Sequence, residues 1–262
     1  MIVNRVWQFH FGEGLVRTPS DFGKLGQKPT HPELLDWLAT WFMENGWSFK
    51  KLHRLILASN TYRMSKLSNE QYAAADPENR LLWRFPYKRL EAEAIRDSML
   101  EVSGKLNAKM GGESMYPEIP EAALTGSSDP DKIWKNSPEP ERNRRTVYAF
   151  LKRSMIVPML DVLDLCDTTR SSAQRLTTSV APQALTLFNG EFVNAQARAF
   201  ADRLRNEAGA DSAKQVELAY RLALARKPTG QEAIKMRVFL EREPLEQLAR
   251  VILNLNEFVY PD

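Results

Sequence analysis

The chain has 262 residues, with 36 lysines and arginines against 33 aspartates and glutamates, and 43% of its residues are hydrophobic. This composition is typical of soluble globular proteins, and the net charge of +3 does not by itself indicate a nucleic-acid partner. The single cysteine, Cys166, excludes an internal disulfide, a cysteine-based zinc knuckle and a CxxCH haem attachment. The apolar runs are far shorter than the about 18 residues that span a bilayer, and the first twenty residues lack the apolar stretch of a secretory signal.

Helix signals begin near residue 30. Apolar side chains recur at helical spacing from Pro32 to Phe42, and Thr30 and Glu33 are spaced as a capping box for that helix. Asn45-Gly46 predicts its end. Ser48 is placed to cap a second helix, so the two helices are predicted to form an αα-hairpin.

The middle of the chain changes character. A helix is predicted from about Arg89 to Leu106, because apolar residues there keep a spacing of three to four. Residues 111–141 hold five prolines and three glycines, which predicts a long irregular loop. Arg144 to Phe150 fits a short strand or a helix equally. These signals predict an N-terminal helical part (1–110), a loop or junction (111–141) and a C-terminal helical part (142–262), together one compact domain.

The C-terminal part shows further helix signals. Pro182 opens a helix whose apolar phase continues through Asn189-Gly190, which predicts one helix, bent or briefly broken there. Two capping-box spacings and a proline suited to a first helical turn mark three more helices: Ser212-Ala213-Lys214-Gln215, Thr229-Gly230-Gln231-Glu232 and Pro244. The predicted fold is therefore mainly α, a multi-helix bundle with a long irregular loop rich in proline and glycine. A short strand pair is compatible with this prediction.

Candidate catalytic residues are few. His10, His31 and His53 lie outside any HExxH motif, so each is predicted to be structural and no metal site is predicted. Glu33 and Asp36, three residues apart on one helix, form a carboxylate pair of the kind that glycoside hydrolysis requires. A structural explanation of this pair is stronger, because acidic side chains near the start of a helix interact favourably with the positive end of its dipole.

Arginines suggest a candidate anion site near the helix that opens at Pro182, because exposed amides at a helix start and nearby guanidinium groups bind phosphate, sulfate or carboxylate. The candidates are Arg144, Arg145, Arg170 and Arg175. The nearly balanced charge favours the competing interpretation, in which these arginines pair with acids of the same chain. Trp37 and Trp41 lie at helical spacing among leucines, which predicts core residues before sugar-stacking ones.

Eight short strings, ordered along nearly the whole chain, carry a family resemblance. They are Asn4-Arg5-Val6-Trp7, His10-Phe11-Gly12-Glu13-Gly14-Leu15-Val16, Thr30-His31-Pro32-Glu33-Leu34-Leu35-Asp36-Trp37, Gly46-Trp47-Ser48, Asp76-Pro77-Glu78-Asn79-Arg80, Arg89-Leu90-Glu91-Ala92-Glu93, Ala181-Pro182-Gln183-Ala184-Leu185 and Leu253-Asn254-Leu255-Asn256-Glu257-Phe258-Val259-Tyr260. With these strings the sequence resembles the planctomycete-type domain of unknown function 1553. The resemblance implies no known catalytic mechanism.

The resemblance implies a C-terminal module of large exported proteins, in which a haem-bearing cytochrome c-like domain and a second uncharacterised domain come first. It therefore implies an exported or periplasmic location, no cofactor in this chain, and haem only in a separate N-terminal domain. The sequence itself has neither a haem motif nor a secretory signal and starts almost on the first string. We therefore expect the chain to be a fragment or a split part of a longer protein.

Three functional hypotheses stay open at this stage. The leading one is a non-catalytic helical interaction module that docks on companion domains or subunits of an exported redox or polysaccharide-processing assembly. The second is a carbohydrate-active hydrolase or redox enzyme, with its candidates among the polar residues of the family-like strings: His10, His31, Glu33, Asp36 and Gln183. The third is binding of a polysaccharide or another anionic ligand through the arginine-rich stretch, which runs from Arg142 to Arg153 and is joined by Arg170, with nucleic acid the less favoured partner.

Overall fold

The computed structural model describes residues 1–125 and 130–261. The described part is mainly α-helical, which confirms the predicted fold class, and its β pairing consists of isolated bridges. The chain divides into two compact units, Met1–Lys88 and Arg89–Pro261. No helix in the described ranges combines the length and the apolar character needed to cross a bilayer.

The first unit is built on four helices in its described residues: α1 (Ile2–Phe11), α2 (Pro32–Glu44), α3 (Phe49–Ala58) and α4 (Glu70–Ala75). Helix α1 was not predicted from the sequence, yet it supplies four of the nine buried residues of this unit's core. Trp7 and Phe11 stack on each other with ring centroids 4.3 Å apart. The core consists of Val3, Val6, Trp7, Phe11, Leu15, Leu38, Phe42, Leu52 and Ile56.

The α2–α3 hairpin forms as the sequence predicts, but the cap of α2 does not. His31 is the N-cap residue, and no side chain caps this helix. The Thr30 hydroxyl instead donates to the Leu15 carbonyl at 3.3 Å, so the predicted capping box is wrong because a tertiary hydrogen bond takes the hydroxyl. Ser48 caps α3 as predicted, since its hydroxyl accepts a hydrogen bond from the Lys51 amide at 3.4 Å.

The second unit carries the remaining α-helices of the described residues: α5 (Ala92–Val102), α6 (Pro130–Ile133), α7 (Pro158–Val162), α8 (Ala181–Asn189), α9 (Glu191–Ala208), α10 (Ser212–Leu224), α11 (Gly230–Leu240), α12 (Leu245–Leu253) and α13 (Asn256–Val259). Helices α5, α9, α10 and α12 share one apolar core, with fully buried Ile95, Met99, Phe200, Leu204, Ala219, Leu248 and Ile252. Helix α5 belongs to this core, and the division between the two units falls after Lys88.

Several predicted segments differ in detail. Helix α5 is shorter than the predicted Arg89–Leu106 at both ends, since Glu91 is its N-cap and Gly104 leaves the helix with φ +74°. The loop 111–141 is largely irregular where it is described, with short 3₁₀ turns at Glu121–Leu124 and Glu141–Asn143. Residues 144–150 form neither a strand nor an α-helix but a 3₁₀ turn, Thr146–Tyr148, flanked by isolated bridges.

One residue, Gly190, separates α8 from α9. Its ψ of 138° takes the backbone out of the helical region. A Cβ atom at this position would lie 2.4 Å from the Thr186 carbonyl oxygen, so only glycine fits. The continuous apolar phase predicted from the sequence is therefore carried by two helices with a one-residue break.

Of the three helix starts predicted in the C-terminal part, one is confirmed and two differ from the prediction. Asp211, and not Ser212, caps α10, because its carboxylate accepts hydrogen bonds from the amides of Ala213 and Lys214. Pro244 is the N-cap of α12 rather than a residue of its first turn. The Thr229–Glu232 capping box is confirmed. Hydrogen bonds from Arg226, together with those from Thr229, outweigh burial and lower the pKa of Glu232 to about 2.

Candidate functional site

Gln183, a predicted candidate, belongs to a buried polar network at the start of α8. Its Nε2 donates to Asp164 Oδ2 at 3.0 Å and to Thr178 Oγ1 at 2.9 Å. Its Oε1 accepts a hydrogen bond from Arg89 Nη1 at 2.9 Å. Arg89 also donates from Nη2 to Asp164 Oδ2 at 2.7 Å. The polar atoms of Gln183 are thus used inside the fold, where they hold the irregular segment 163–180 in place.

Asp164 closes this network. Its backbone has φ +64°, and its two carboxylate oxygens accept hydrogen bonds from the Thr178 amide and hydroxyl at 2.8 and 2.7 Å. Burial raises the pKa of Asp164, but these hydrogen bonds and those from Arg89 and Gln183 together hold it below its ordinary value. The carboxylate is therefore charged and saturated at neutral pH, which suits a structural role more than acid–base chemistry.

Arg144, a predicted anion-binding residue, is the largest fully buried side chain of the described residues. Its guanidinium stacks over the Tyr148 ring, 4.1 Å from the centroid. Its three nitrogen atoms donate to backbone carbonyls of the loop that precedes it: Lys109 at 3.3 Å, Glu113 at 2.9 Å, and Gly111. Three of its donors are thus engaged by the chain itself, and the side chain is only 1% exposed, so Arg144 is not open to an anion from solvent.

The other predicted arginines have separate acidic partners. Arg145 is 57% exposed and lies 3.9 Å from Asp97. Arg170 is 83% exposed and pairs with Asp167 at 3.0 Å. Each of these arginines thus lies near a carboxylate of the same chain, in line with the charge-balance interpretation, although Asp97 also lies 3.8 Å from Arg96.

Arg175 makes the strongest of these pairs. Its two terminal nitrogens donate to the two oxygens of Glu93 at 2.6 and 2.8 Å, a bidentate geometry. Glu91 lies 3.6 Å from the same guanidinium. The hydrogen bonds with Glu93 raise the pKa of Arg175 above its ordinary value despite burial. Arg175 therefore fixes the irregular segment before α8 against the first turn of α5.

In the first unit, His10 pairs with His53 of α3. His10 Nε2 lies 2.8 Å from His53 Nδ1, so one ring donates a hydrogen bond to the other. The edge of the Tyr62 ring packs beside His10, with centroids 5.6 Å apart. The sequence offered no signal for this pair, because 43 positions separate the two histidines.

The remaining predicted candidates of this unit are not joined to that pair. His31 Nδ1 lies 3.0 Å from Thr30 Oγ1, and Glu33 and Asp36 are exposed on α2. Among the described residues, no hydrogen bond or ion pair links His10 to these three side chains. No group of three or more metal-binding side chains occurs within the described ranges either.

The His10–His53 pair predicts a pH response. Burial, then the charge of His53 and of Lys88, lowers the pKa of His10 below 6.5. The unfolded state therefore takes up this proton first, so the contribution to stability is present above pH 6.5 and is lost as the pH falls through the folded pKa. His53→Gln is expected to raise the pKa of His10 in an NMR titration, without restoring 6.5, because burial persists. The control His31→Gln should leave the His10 titration unchanged, and an unmoved His10 in His53→Gln would contradict the coupling.

The turn between α2 and α3 exposes aromatic side chains. Trp47 follows Gly46 with φ +57°, a left-handed backbone that bulky residues rarely adopt, and it is 60% exposed. The rings of Trp47 and Phe49 each lie 5.4 Å from that of buried Phe42. Trp37 on α2 is 52% exposed, so its predicted place in the core is wrong, because the polar face of the helix includes it.

A cleft in the second unit was not predicted at all. Its volume is about 470 Å³, and it lies beside α5, α7 and the start of α9. Arg96 of α5 lines it as a buried cation. Arg96 was not among the residues singled out from the sequence, and the other lining residues come from segments far apart in the chain.

Together these observations define a mainly α-helical protein of two compact units, in which Gln183, Arg144 and Arg175 make contacts inside the fold. The chain belongs to the family described as PSD1, protein of unknown function (DUF1553), whose model matches residues 1–240. The match confirms the family resemblance, and it covers seven of the eight strings, since Leu253–Tyr260 lies beyond residue 240. No curated protein and no solved structure matches the chain.

Proposed function

We propose that this chain is a helical docking module that binds a companion protein domain through an aromatic and basic surface of α3. This docking face consists of Trp47, Phe49, Lys50, Arg54 and Leu57. The observation that carries the proposal is that Trp47 is exposed on a strained backbone. Its left-handed conformation directly follows that of Gly46, but only the glycine adopts it without strain.

The energetics of Trp47 favour a binding role. A non-glycine residue in the left-handed region costs about 1–2 kcal/mol. The contact with Phe42 covers only part of the indole, since 60% of Trp47 stays in water. Tryptophan is among the residues that contribute most to protein–protein interfaces when a partner buries them. The strain and the exposure therefore both support a partner that covers Trp47.

The positive charge of α3 indicates that the partner surface is acidic. Lys50 and Arg54 are exposed at a spacing of four, Leu57 completes the same stripe at 45% exposure, and the helix contains no acidic residue. A complementary surface has an acidic rim around an apolar pocket. The resemblance supports a domain of an exported, multi-domain redox or polysaccharide-processing protein as the bearer of that surface, and we extend the proposal to that location.

The test is titration calorimetry of the full chain against the two companion domains expected in family relatives, the cytochrome c-like domain and the uncharacterised one. We expect one of them to bind, and Trp47→Ala and the double variant Lys50→Glu/Arg54→Glu each to weaken binding about tenfold, which is about 1.4 kcal/mol. Matched controls lie on α11, where Ile234 is 65% exposed. Ile234→Ala and Lys235→Glu should leave the affinity unchanged.

Three outcomes would contradict the proposal. In the first, neither domain binds the chain. In the second, the α11 variants weaken binding as much as the docking-face variants do. In the third outcome, an anionic polysaccharide binds the chain, responds to the charge reversal and ignores Trp47→Ala, which would make the basic stripe a polyanion site instead.

A further inference from the structure

The cleft of the second unit has the size and the walls of a small-molecule site. Its volume of about 470 Å³ lies within the range of about 300–1,000 Å³ that is usual for such sites. Most of its lining is apolar and comes from three separate segments: Ile119, Val157, Met159, Val162, Phe192 and Ala195. The docking face on α3 does not use this cleft, so the cleft calls for its own explanation.

Arg96 places a buried positive charge in the wall of the cleft. Its side chain is 3% exposed, and its guanidinium lies over the Phe192 ring, 5.3 Å from the centroid. Its terminal nitrogens donate to uncharged oxygens at 2.8 to 3.1 Å: the carbonyls of Arg142 and Arg144 and the hydroxyl of Thr146. These bonds use three of the five N–H donors of the guanidinium, fix its orientation and do not neutralise its charge.

The carboxylate near Arg96 is only a partial counter-ion. Asp97 lies 3.8 Å away, and one of its oxygens accepts two hydrogen bonds from Thr146, at 2.6 and 2.7 Å. Burial lowers the pKa of Arg96 to about 10, so the side chain stays charged at neutral pH. A cation this deeply buried is stabilised by a second anion.

The first turn of α9 adds a second positive element to the same cleft. Residues 190–193 line it, and no side chain caps the start of this helix of 18 residues. Glu118, Glu191 and Arg198 also line the cleft, but all three are exposed, so water and salt screen their charges. The interior therefore combines apolar walls with positive potential.

We propose that this cleft binds a small organic anion with a flat apolar body, of the aromatic carboxylate class. The carboxylate pairs with Arg96 and the free amides at the start of α9. The body packs between Phe192 on one wall and Val157 and Met159 on the other.

Two isosteric probes test the ligand class by titration calorimetry on the full chain. The probes are 1-naphthoate and the uncharged 1-naphthamide, which differ mainly in charge. We expect 1-naphthoate to bind at one site, and the amide to bind at least about tenfold more weakly, because a buried cation discriminates against a neutral group.

Two variants that fill the cleft from different helices test the location, Ala195→Trp on α9 and Met159→Trp on α7. Each is expected to abolish 1-naphthoate binding. Ala199→Trp, one turn further along α9 and outside the lining, is the matched control and should bind like the unmodified chain. Circular dichroism identifies which blocking variant keeps the helical fold, and either one suffices.

Each alternative result overturns a definite part of the inference. Equal affinity for the two probes rejects an anion site. Unchanged binding in a folded blocking variant rejects this location, and loss of binding in Ala199→Trp as well assigns it to a general effect on α9. Absence of 1-naphthoate binding rejects the aromatic carboxylate class.

Discussion

Arg144→Met is expected to lower the free energy of unfolding of the second unit by about 3 kcal/mol, measured by urea denaturation followed by circular dichroism. The Arg144 guanidinium is a charged donor to three backbone carbonyls of residues 109–113, and it stacks on Tyr148. Hydrogen bonds from a charged group each contribute about 1.5–3 kcal/mol, and they act here as one unit rather than as a sum. Methionine fills similar space but donates to none of these carbonyls.

The next residue in the chain is the control. Arg145 carries the same charge, but it is 57% exposed, and its acidic neighbour Asp97 lies 3.9 Å away. Exposed ion pairs contribute about 0–1 kcal/mol, so Arg145→Met should change stability little. Equal effects of the two substitutions would show that net charge, and not the buried carbonyl clamp, is what Arg144 provides. Arg144→Lys should recover only part of the loss, because an ammonium group cannot span three carbonyls at these positions.

The contrast between Arg144 and Arg145 shows where sequence reasoning reaches its limit. The two residues are neighbours with the same chemistry, and the sequence placed both in one candidate anion site. Burial separates them, and burial depends on the loop 109–113, which has no helical or strand periodicity to predict its path. The charge-balance interpretation expected acidic partners; Arg145 has one in Asp97, whereas the hydrogen bonds of Arg144 go to backbone carbonyls.

Local patterns were predicted more reliably than tertiary ones. Apolar periodicity located α2, α3 and α5, because each of these helices buries one face. Cap residues were predicted correctly where nothing competes for the side chain, as for Ser48 and Thr229. The prediction was wrong for Thr30, since its hydroxyl bonds to a residue 15 positions away.

The candidate sites depended on tertiary contacts throughout. Gln183 was singled out because it lies in a family-like string, but its partner Arg89 is 94 positions away, so neither its burial nor its role had a local signal. The His10–His53 pair and the cleft beside Arg96 likewise join distant segments. The exposure of Trp47 had one visible cue, its place directly after Asn45-Gly46, where a turn forces an unusual backbone conformation.

Arg89→Met is expected to have the largest effect, a loss of about 3–5 kcal/mol in the free energy of unfolding of the second unit. The substitution removes the donor to the Leu163 and Thr178 carbonyls, at 2.9 and 3.1 Å, and to the side chains of Gln183 and Asp164. It also leaves the Asp164 carboxylate, 18% exposed, without its ion-pair partner. Urea denaturation measures the loss, and Arg170→Met, which breaks an exposed pair, is the control.

A double-mutant cycle separates the ion pair from the carbonyl contacts. Asp164→Asn removes the charge that Arg89→Met leaves unpaired, so the double variant should lose less than the sum of the single losses. Additive losses would show that the carbonyl contacts alone explain the effect of Arg89→Met.

The network also predicts the acid limit of stability. The pKa of Asp164 lies below 3.8 in the folded chain, so its contribution is present above that value and is lost as the pH falls through the folded pKa. Without Arg89 one of the hydrogen bonds that lower this pKa is gone, and the loss should begin at a higher pH. If the pH profile of Arg89→Met parallels that of the unmodified chain, the charge of Asp164 is held by Thr178 and Gln183 alone, and Arg89 acts only as a clamp on the backbone of the segment before α8.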